Sequence, residues 1–312
     1  MRVAVMGAGG LGGFFGGVLA AHGADVTLVA RGPHLVAMRE RGLQVRSELA
    51  GSFLVKPPVT GTAAMAGVVD LLLFCVKAYD IETAAAQCVS AVGPGTVVIP
   101  VQNGMDAAER LAAVLGHGAV LGGLTYVASR IESPGVVVQQ GRAGTLMFGE
   151  RCGGSSVRGA VVRDFLGAHG VGTELCADIR VRLWEKYVVV CATGGVLAVR
   201  REPFGPALAS GEARGLMVAI MGEVAALATA SGVPLAPDVV PRLIAYLERH
   251  MAPEARSSQL SDLQAGRRLE LEHLNGAAVR LGRVLGVPTP ANQAVYDALK
   301  PFANGAPPRC GA

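Results

Sequence analysis

Near the N-terminus, Gly7-Ala8-Gly9-Gly10-Leu11-Gly12 spells G-x-G-x-x-G between a β-rich run, Arg2 to Met6, and a helix-spaced stretch of small and apolar residues, Leu11 to His22. In that setting Gly7 permits a tight turn, Gly9 lets backbone N–H groups approach a pyrophosphate at the helix N-terminus, and Gly12 lets the helix close on the strand. In a chain with 43 glycines the same pattern can also mark an ordinary turn. The flanking strand and helix, with a second strand at Asp25 to Ala30, select the dinucleotide-binding reading. That second strand runs into Arg31, where NAD-preferring folds carry an acidic residue for the ribose 2′-hydroxyl. A guanidinium cannot accept the hydroxyl's hydrogen bonds but pairs well with a 2′-phosphate, so NADP is favoured over NAD. The alternative is a solvated charge at a strand end.

Lys77 follows the apolar run Leu71 to Val76, and Asn103 follows Val97 to Val101 within Pro100-Val101-Gln102-Asn103-Gly104. Both would sit on the carboxyl edge of a parallel sheet, where ligands bind, although Asn-Gly is also a common turn signal. Lys186 precedes the apolar stretch Tyr187-Val188-Val189-Val190-Cys191. Partial desolvation there would lower its pKa, and such a cation can stabilise charge developing on a carbonyl oxygen and then release a proton. Periodicity alone reads it instead as a helix lysine whose head reaches water. Ser258 and Glu270 are 12 residues apart, some 120° apart on an unbroken helix. They converge only if the chain breaks between them; Gly266 offers the break, with a second helix from Leu269 to Leu285. Taken alone, Glu270 in its charged run reads as a surface residue. The six histidines form no cluster, so neither a metal nor a triad is expected.

The elements that must hold these residues follow from the same letters. Runs apolar throughout, such as Leu71 to Val76 and Val97 to Val101, are those of parallel strands covered on both faces. The segment from Leu121 to Phe148 alternates and turns at Pro134-Gly135 and Gly141, predicting antiparallel strands that complete the sheet. After Cys176 the strand signals stop. Asp178 is placed to cap a helix, and Gly232-Val233-Pro234 and Gly286-Val287-Pro288 each end one. The expected fold is an α/β, Rossmann-type, doubly wound N-terminal domain over 1–177, followed by an all-α domain over 178–312, with the tail after Pro301 frayed.

At 312 residues the chain can build two cores without staples. Its 51% hydrophobic and 17% charged content excludes a disordered chain. A net charge of +4 without a basic block, and 4% aromatic residues, argue against nucleic acid. Cys75, Cys88, Cys152, Cys176, Cys191 and Cys310 show no C-x-x-C spacing and read as reduced core thiols of a cytoplasmic protein. The apolar N-terminus contains a patterned turn, so it is not read as a secretory signal. No apolar run reaches the roughly 18 to 20 residues that span a bilayer, Tyr187 to Val199 coming nearest, so no membrane partner is expected.

In order and spacing the glycine turn, Arg31, Cys75-Val76-Lys77, Gln102-Asn103-Gly104, Leu183-Trp184-Glu185-Lys186, Ser257-Ser258 through Asp262 to Glu270, and Asn275-Gly276 resemble the ketopantoate reductase (2-dehydropantoate 2-reductase) family over nearly the whole chain. The resemblance implies a Rossmann domain binding NADPH, a helical domain, and reduction of a 2-keto acid in the cleft between them, by default ketopantoate to pantoate for pantothenate biosynthesis. It implies that Lys186 is the general acid, that Glu270 holds a substrate hydroxyl, and that Ser258 binds the substrate carboxylate. It further implies that Asn103 meets cofactor and substrate at the reacting end and that Lys77 lies beside the adenine ribose phosphate. One and two helical turns after the lysine the family carries substrate-facing asparagines; Val190 and Gly194 stand there instead, which favours a bulkier or less polar keto acid. A non-catalytic NADPH sensor is the reading from another class, and the presence of Lys186 and Glu270 argues against it. A homodimer fits an apolar helical domain of this kind.

Overall fold

The computed structural model describes residues 1–305. In chain order its elements are β1 (Arg2–Met6), α1 (Gly10–Ala21), β2 (Asp25–Val29), α2 (Gly32–Arg41), β3 (Leu43–Ser47), β4 (Gly51–Val55), β5 (Val59–Thr60), β6 (Val69–Phe74), α3 (Ile81–Cys88), β7 (Val92–Pro100), α4 (Ala107–Leu115), β8 (Gly122–Thr125), β9 (Ala128–Ser133), β10 (Val136–Gln140), β11 (Leu146–Gly149), α5 (Val157–Ala168) and β12 (Thr173–Leu175). Helices follow alone: α6 (Ile179–Arg200), α7 (Phe204–Ala209), α8 (Gly211–Ala230), α9 (Val239–His250), α10 (Ser258–Gln264), α11 (Asn275–Leu285) and α12 (Pro290–Leu299). The chain divides into two compact units, one of residues 1–102 and 106–180, the other of 103–105 and 181 onward. The boundary expected at 177 lies three residues before the second division.

The first unit is built on a parallel sheet in the order β5-β2-β1-β6-β7. Its strands are apolar throughout because each supplies two cores. Val3, Val5, Leu71, Leu73, Val97 and Ile99 belong to one, and Ala4, Met6, Leu72, Phe74 and Val98 to the other. Alternate residues of a strand point to opposite faces, so a sheet covered on both sides needs hydrophobic residues at every position.

The antiparallel strands depart from expectation, for they do not complete this sheet. β9 and β10 join β3 and β4 in a separate four-stranded sheet ordered β4-β3-β10-β9, and β11 lies between β8 and β12 in a three-stranded one. β9 is exposed along most of its length, which a sheet covered on both faces does not tolerate. The second sheet explains the glycines of α1. A Cβ at Gly16 would crowd Leu28 and Val5 of the first sheet, whereas one at Gly13 or Gly17 would crowd Val137 or Val45 of the second, all but Leu28 and Val5 of them at 2.7 to 2.9 Å. Small residues four apart on two faces let one helix lie closely against two sheets.

The second unit is helical around a core that includes Tyr187, Val188 and Cys191 of α6 and Met217, Ile220, Met221 and Val224 of α8. By length and composition α8 is apolar enough to cross a membrane, which corrects the choice of Tyr187 to Val199 as the nearest such segment. Its Glu223 is committed inside the unit, accepting the backbone N–H groups of Ala291 and Asn292 at 2.7 and 2.9 Å and the Asn292 side-chain amide at 2.7 Å.

Of the cysteines, Cys88, Cys176 and Cys191 are buried and Cys75 half-buried, but Cys152 is exposed beyond β11, contrary to the core reading. Burial pushes the Cys88 thiol up to about 12. In the tail expected to fray, Phe302 closes a short 3-10 turn from Lys300. Residues 306–312, and with them Cys310, lie outside the described residues.

Candidate functional site

The glycine turn joins β1 to α1 at the carboxyl edge of the parallel sheet, where β1 has β2 on one side and β6 on the other. Strand order reverses there, the place where open α/β sheets bind ligands. Gly7 has φ +90°, a conformation L side chains rarely adopt. The Gly7 and Ala8 N–H groups donate to Val29 O at 3.1 and 2.8 Å, that of Gly9 donates to Gly7 O at 2.7 Å, and that of Gly13 closes the first helical bond on Gly9 O. The N–H groups of Gly10, Leu11 and Gly12 in the first turn therefore have no intrahelical acceptor, and no acidic residue stands in that turn. A Cβ at Gly9 would meet nothing within 4 Å, whereas one at Gly12 would collide with Gly7 O and come within 2.9 Å of Val5.

That contrast separates two roles experimentally. Gly12→Ala overpacks the strand-helix contact and is expected to lower stability by about 1 to 3 kcal/mol, read as a lower urea midpoint. Gly9→Ala has room in the fold and should leave the midpoint near wild type while weakening dinucleotide binding in a fluorescence titration.

Arg31 and Lys77 lie just beyond the carboxyl ends of the two strands flanking β1. Arg31 precedes α2 with its side chain 89% exposed, and its Nη2 donates to Asp80 Oδ2 at 2.9 Å. Lys77 precedes the 3-10 turn Ala78–Asp80 that follows β6. Asp80 was not singled out by the sequence; only its position three residues after Lys77 hinted at it. Gln102 is buried and its Nε2 donates to Phe74 O at 2.8 Å and Val76 O at 3.0 Å, tying the chain after β7 to the end of β6. Asn103 beside it is half-buried, in the short segment that groups with the second unit, and Gly104 turns with φ +102°.

In the second unit, tertiary packing brings Lys186 of α6 against Glu270. Both are buried, at 6% and 5% exposure, so neither the water-reaching lysine nor the surface glutamate describes this molecule. Burial pulls the Lys186 ammonium down to about 8, partly offset by the Glu270 carboxylate, which favours the charged form. Two hydrogen bonds fix this arrangement. Tyr187 Oη, next to the lysine, donates to Leu274 O at 2.7 Å, and Leu274 N–H in turn donates to Glu270 O at 3.1 Å. Asn275 is fully buried and its Nδ2 donates to Cys191 O at 3.2 Å and Asn292 Oδ1 at 3.0 Å, in a space that Gly195 leaves open.

The break expected at Gly266 is present, with φ +63°, and Arg267 closes it by donating to Asp262 Oδ1 at 2.8 Å. The helix expected from Leu269 begins only at Asn275. Leu271–His273 forms a 3-10 turn, and Leu274, with φ −109° and ψ −108°, interrupts the helix that would otherwise have formed. This irregular backbone carries Glu270 into the interior. Ser258 begins α10 on its exposed side, while Ser257 caps the helix by accepting from Leu260 N–H at 3.1 Å. The structure thus joins Lys186 to Glu270 and Arg31 to Asp80, and it leaves Ser258 in solvent.

Known proteins resemble this chain in sequence and fold along nearly its whole length. The family model described as ketopantoate reductase PanE/ApbA matches residues 3–153, and its C-terminal counterpart matches 178–303. A 2-dehydropantoate 2-reductase of Archaeoglobus fulgidus is 33% identical, covering 97% of this chain and 98% of its own. A Bacillus subtilis protein named uncharacterized oxidoreductase YkpB is 27% identical over 97% of this chain and 99% of its own. The crystal structure of a PanE/ApbA family ketopantoate reductase from Ralstonia eutropha superposes with a TM-score of 0.89 at 33% identity, covering 97% and 98% of the two chains. The chain is an oxidoreductase acting on CH–OH groups, of a kind that works with a nicotinamide cofactor. Since the two matches follow one another along the chain in the order of its sheet-based and helical parts, it belongs to the ketopantoate reductase family.

Proposed function

We propose that the protein reduces a 2-keto acid to the 2-hydroxy acid with NADPH, ketopantoate to pantoate being the default substrate and product. The observation that carries this reading is the buried Lys186–Glu270 pair, because a lysine with its pKa near 8 can hold and release a proton in the physiological range. The open face at Gly9 and the N–H groups of the first turn of α1, which have no intrahelical acceptor, fit a pyrophosphate. Arg31, with Lys77 across β1, fits the 2′-phosphate of NADPH. When bound, the nicotinamide supplies a hydride to the keto carbon. Lys186 stabilises the charge that develops on the keto oxygen and gives it a proton from Nζ. Glu270 holds the ammonium in place and accepts from the hydroxyl that replaces the keto group, Ser258, exposed at the start of α10, binds the substrate carboxylate, and Asn103 positions the reacting ends. The buried thiols Cys88, Cys176 and Cys191, in no disulfide among the described residues, accord with a reducing compartment, and the cytoplasm is the proposed location.

Val190 is half-buried and Gly194 buried on the helix of Lys186, which supports a second reading in which the same chemistry acts on a less polar 2-keto acid. Loss of NADPH absorbance with ketopantoate and a panel of other 2-keto acids tests both. Efficient ketopantoate turnover supports the default, selective turnover of another member supports the second, and turnover of none overturns the proposal.

A further inference from the structure

Gln259 is the second residue of α10 and only 2% exposed, yet neither its Oε1 nor its Nε2 has a hydrogen-bond partner among the described residues. A buried amide left unpaired is costly, and folded proteins rarely leave both ends of one unsatisfied. Its position gives the reason. A Cβ built on Gly194 would lie 4.0 Å from Gln259 Cβ and 3.9 Å from Leu274 Cδ1, so Gly194 of α6 and Gln259 of α10 are neighbours, with room for no more than a small side chain on α6. Lys186, Val190 and Gly194 recur every four residues along α6, on one side of the helix and spanning about 12 Å of its axis. One end of that side carries the buried lysine with Glu270, and the other lies beside Gln259, the residue whose amide is unpaired.

We infer that Gln259 is a specificity-determining residue that hydrogen-bonds a hydroxyl on the tail of the substrate; this rests on the 2-keto acid reductase reading above. A neutral amide both donates and accepts, and so does a hydroxyl, whereas a carboxylate uses only the donor half and an alkyl tail uses neither. On this reading the tail hydroxyl of the default substrate meets Gln259 at the far end while Lys186 holds the reacting oxygen. Val190 packs against the carbon chain between them.

The test compares ketopantoate with the analogue in which hydrogen replaces its tail hydroxyl, on the full-length enzyme with NADPH. The wild type is expected to prefer the hydroxylated acid by about tenfold or more in kcat/KM, since a site built for a hydroxyl discriminates against its absence. Gln259→Met, close in length and volume, is expected to bring that ratio near one and to raise the thermal midpoint by removing an unpaired buried amide. Gln259→Asn, with the amide one methylene shorter, should keep part of the preference, and it supplies the comparison if the methionine variant does not fold. A wild-type ratio near one, or a ratio unmoved by either variant while both acids are consumed, overturns the role of Gln259. Turnover of neither acid, nor of any other 2-keto acid, by the wild type instead overturns the reductase reading on which it rests.

Discussion

Lys186→Ala is expected to lower kcat for keto acid reduction by about 10²- to 10⁴-fold, the usual contribution of a positioned proton donor. The residue lies in the helical unit, so NADPH affinity measured by fluorescence titration should stay near wild type. Lys186→Arg is a sharper probe. A guanidinium keeps the positive charge but does not surrender a proton in the accessible pH range, so turnover should remain low although the cation is retained. The pH dependence follows from burial, which brings the lysine from its ordinary 10.5 down to about 8. Reduction needs the protonated form, so kcat should be flat below about 8 and fall above it, while oxidation of the hydroxy acid, which needs the neutral amine, should rise through the same range. Stability carries a related sign. Between about 8 and 10.5 the unfolded chain keeps a proton that the folded chain has released, so this residue makes the fold more stable as pH rises across that window. Full turnover by the alanine variant would remove Lys186 from the mechanism, and a fall only near its ordinary pKa would show that burial does not govern the titration.

Arg31→Ala is expected to weaken NADPH by about ten- to a hundredfold while changing NADH by less than about twofold, because only NADPH carries the 2′-phosphate that a guanidinium can pair. With the side chain 89% exposed, screening by water and salt places the effect toward the lower end, and raising the ionic strength should shrink it further. The neighbouring carboxylate gives the opposite prediction. Asp80 accepts from Arg31 at 2.9 Å, so a 2′-phosphate must compete with it for the guanidinium. Asp80→Asn should therefore tighten NADPH, by roughly two- to fivefold on the scale of an exposed ion pair. Titrating each variant with both cofactors checks both results; equal weakening of NADPH and NADH by Arg31→Ala would mean that the arginine serves the fold or the shared part of the dinucleotide.

The sequence by itself determined what is local or periodic. A strand buried on both faces must be apolar at consecutive positions, so β1, β6 and β7 were legible as parallel core strands, and the glycine turn was legible because its requirements lie within six residues. The stop at Gly266 was legible for the same reason. Whatever depends on residues distant along the chain was not. The β3–β4 hairpin and its pairing with β10, Val137 opposite Val45, place the antiparallel strands in sheets of their own, a choice that alternation cannot express because it names a buried face without naming the partner. Lys186 and Glu270 each carry the signature of a solvated charge, and only the contacts of Tyr187 with Leu274 and Asn275 with Cys191, across 87 and 84 residues of sequence, bury them together. The chemistry of a lysine is set by the water removed from it and the charge placed beside it, and both are decided by tertiary packing.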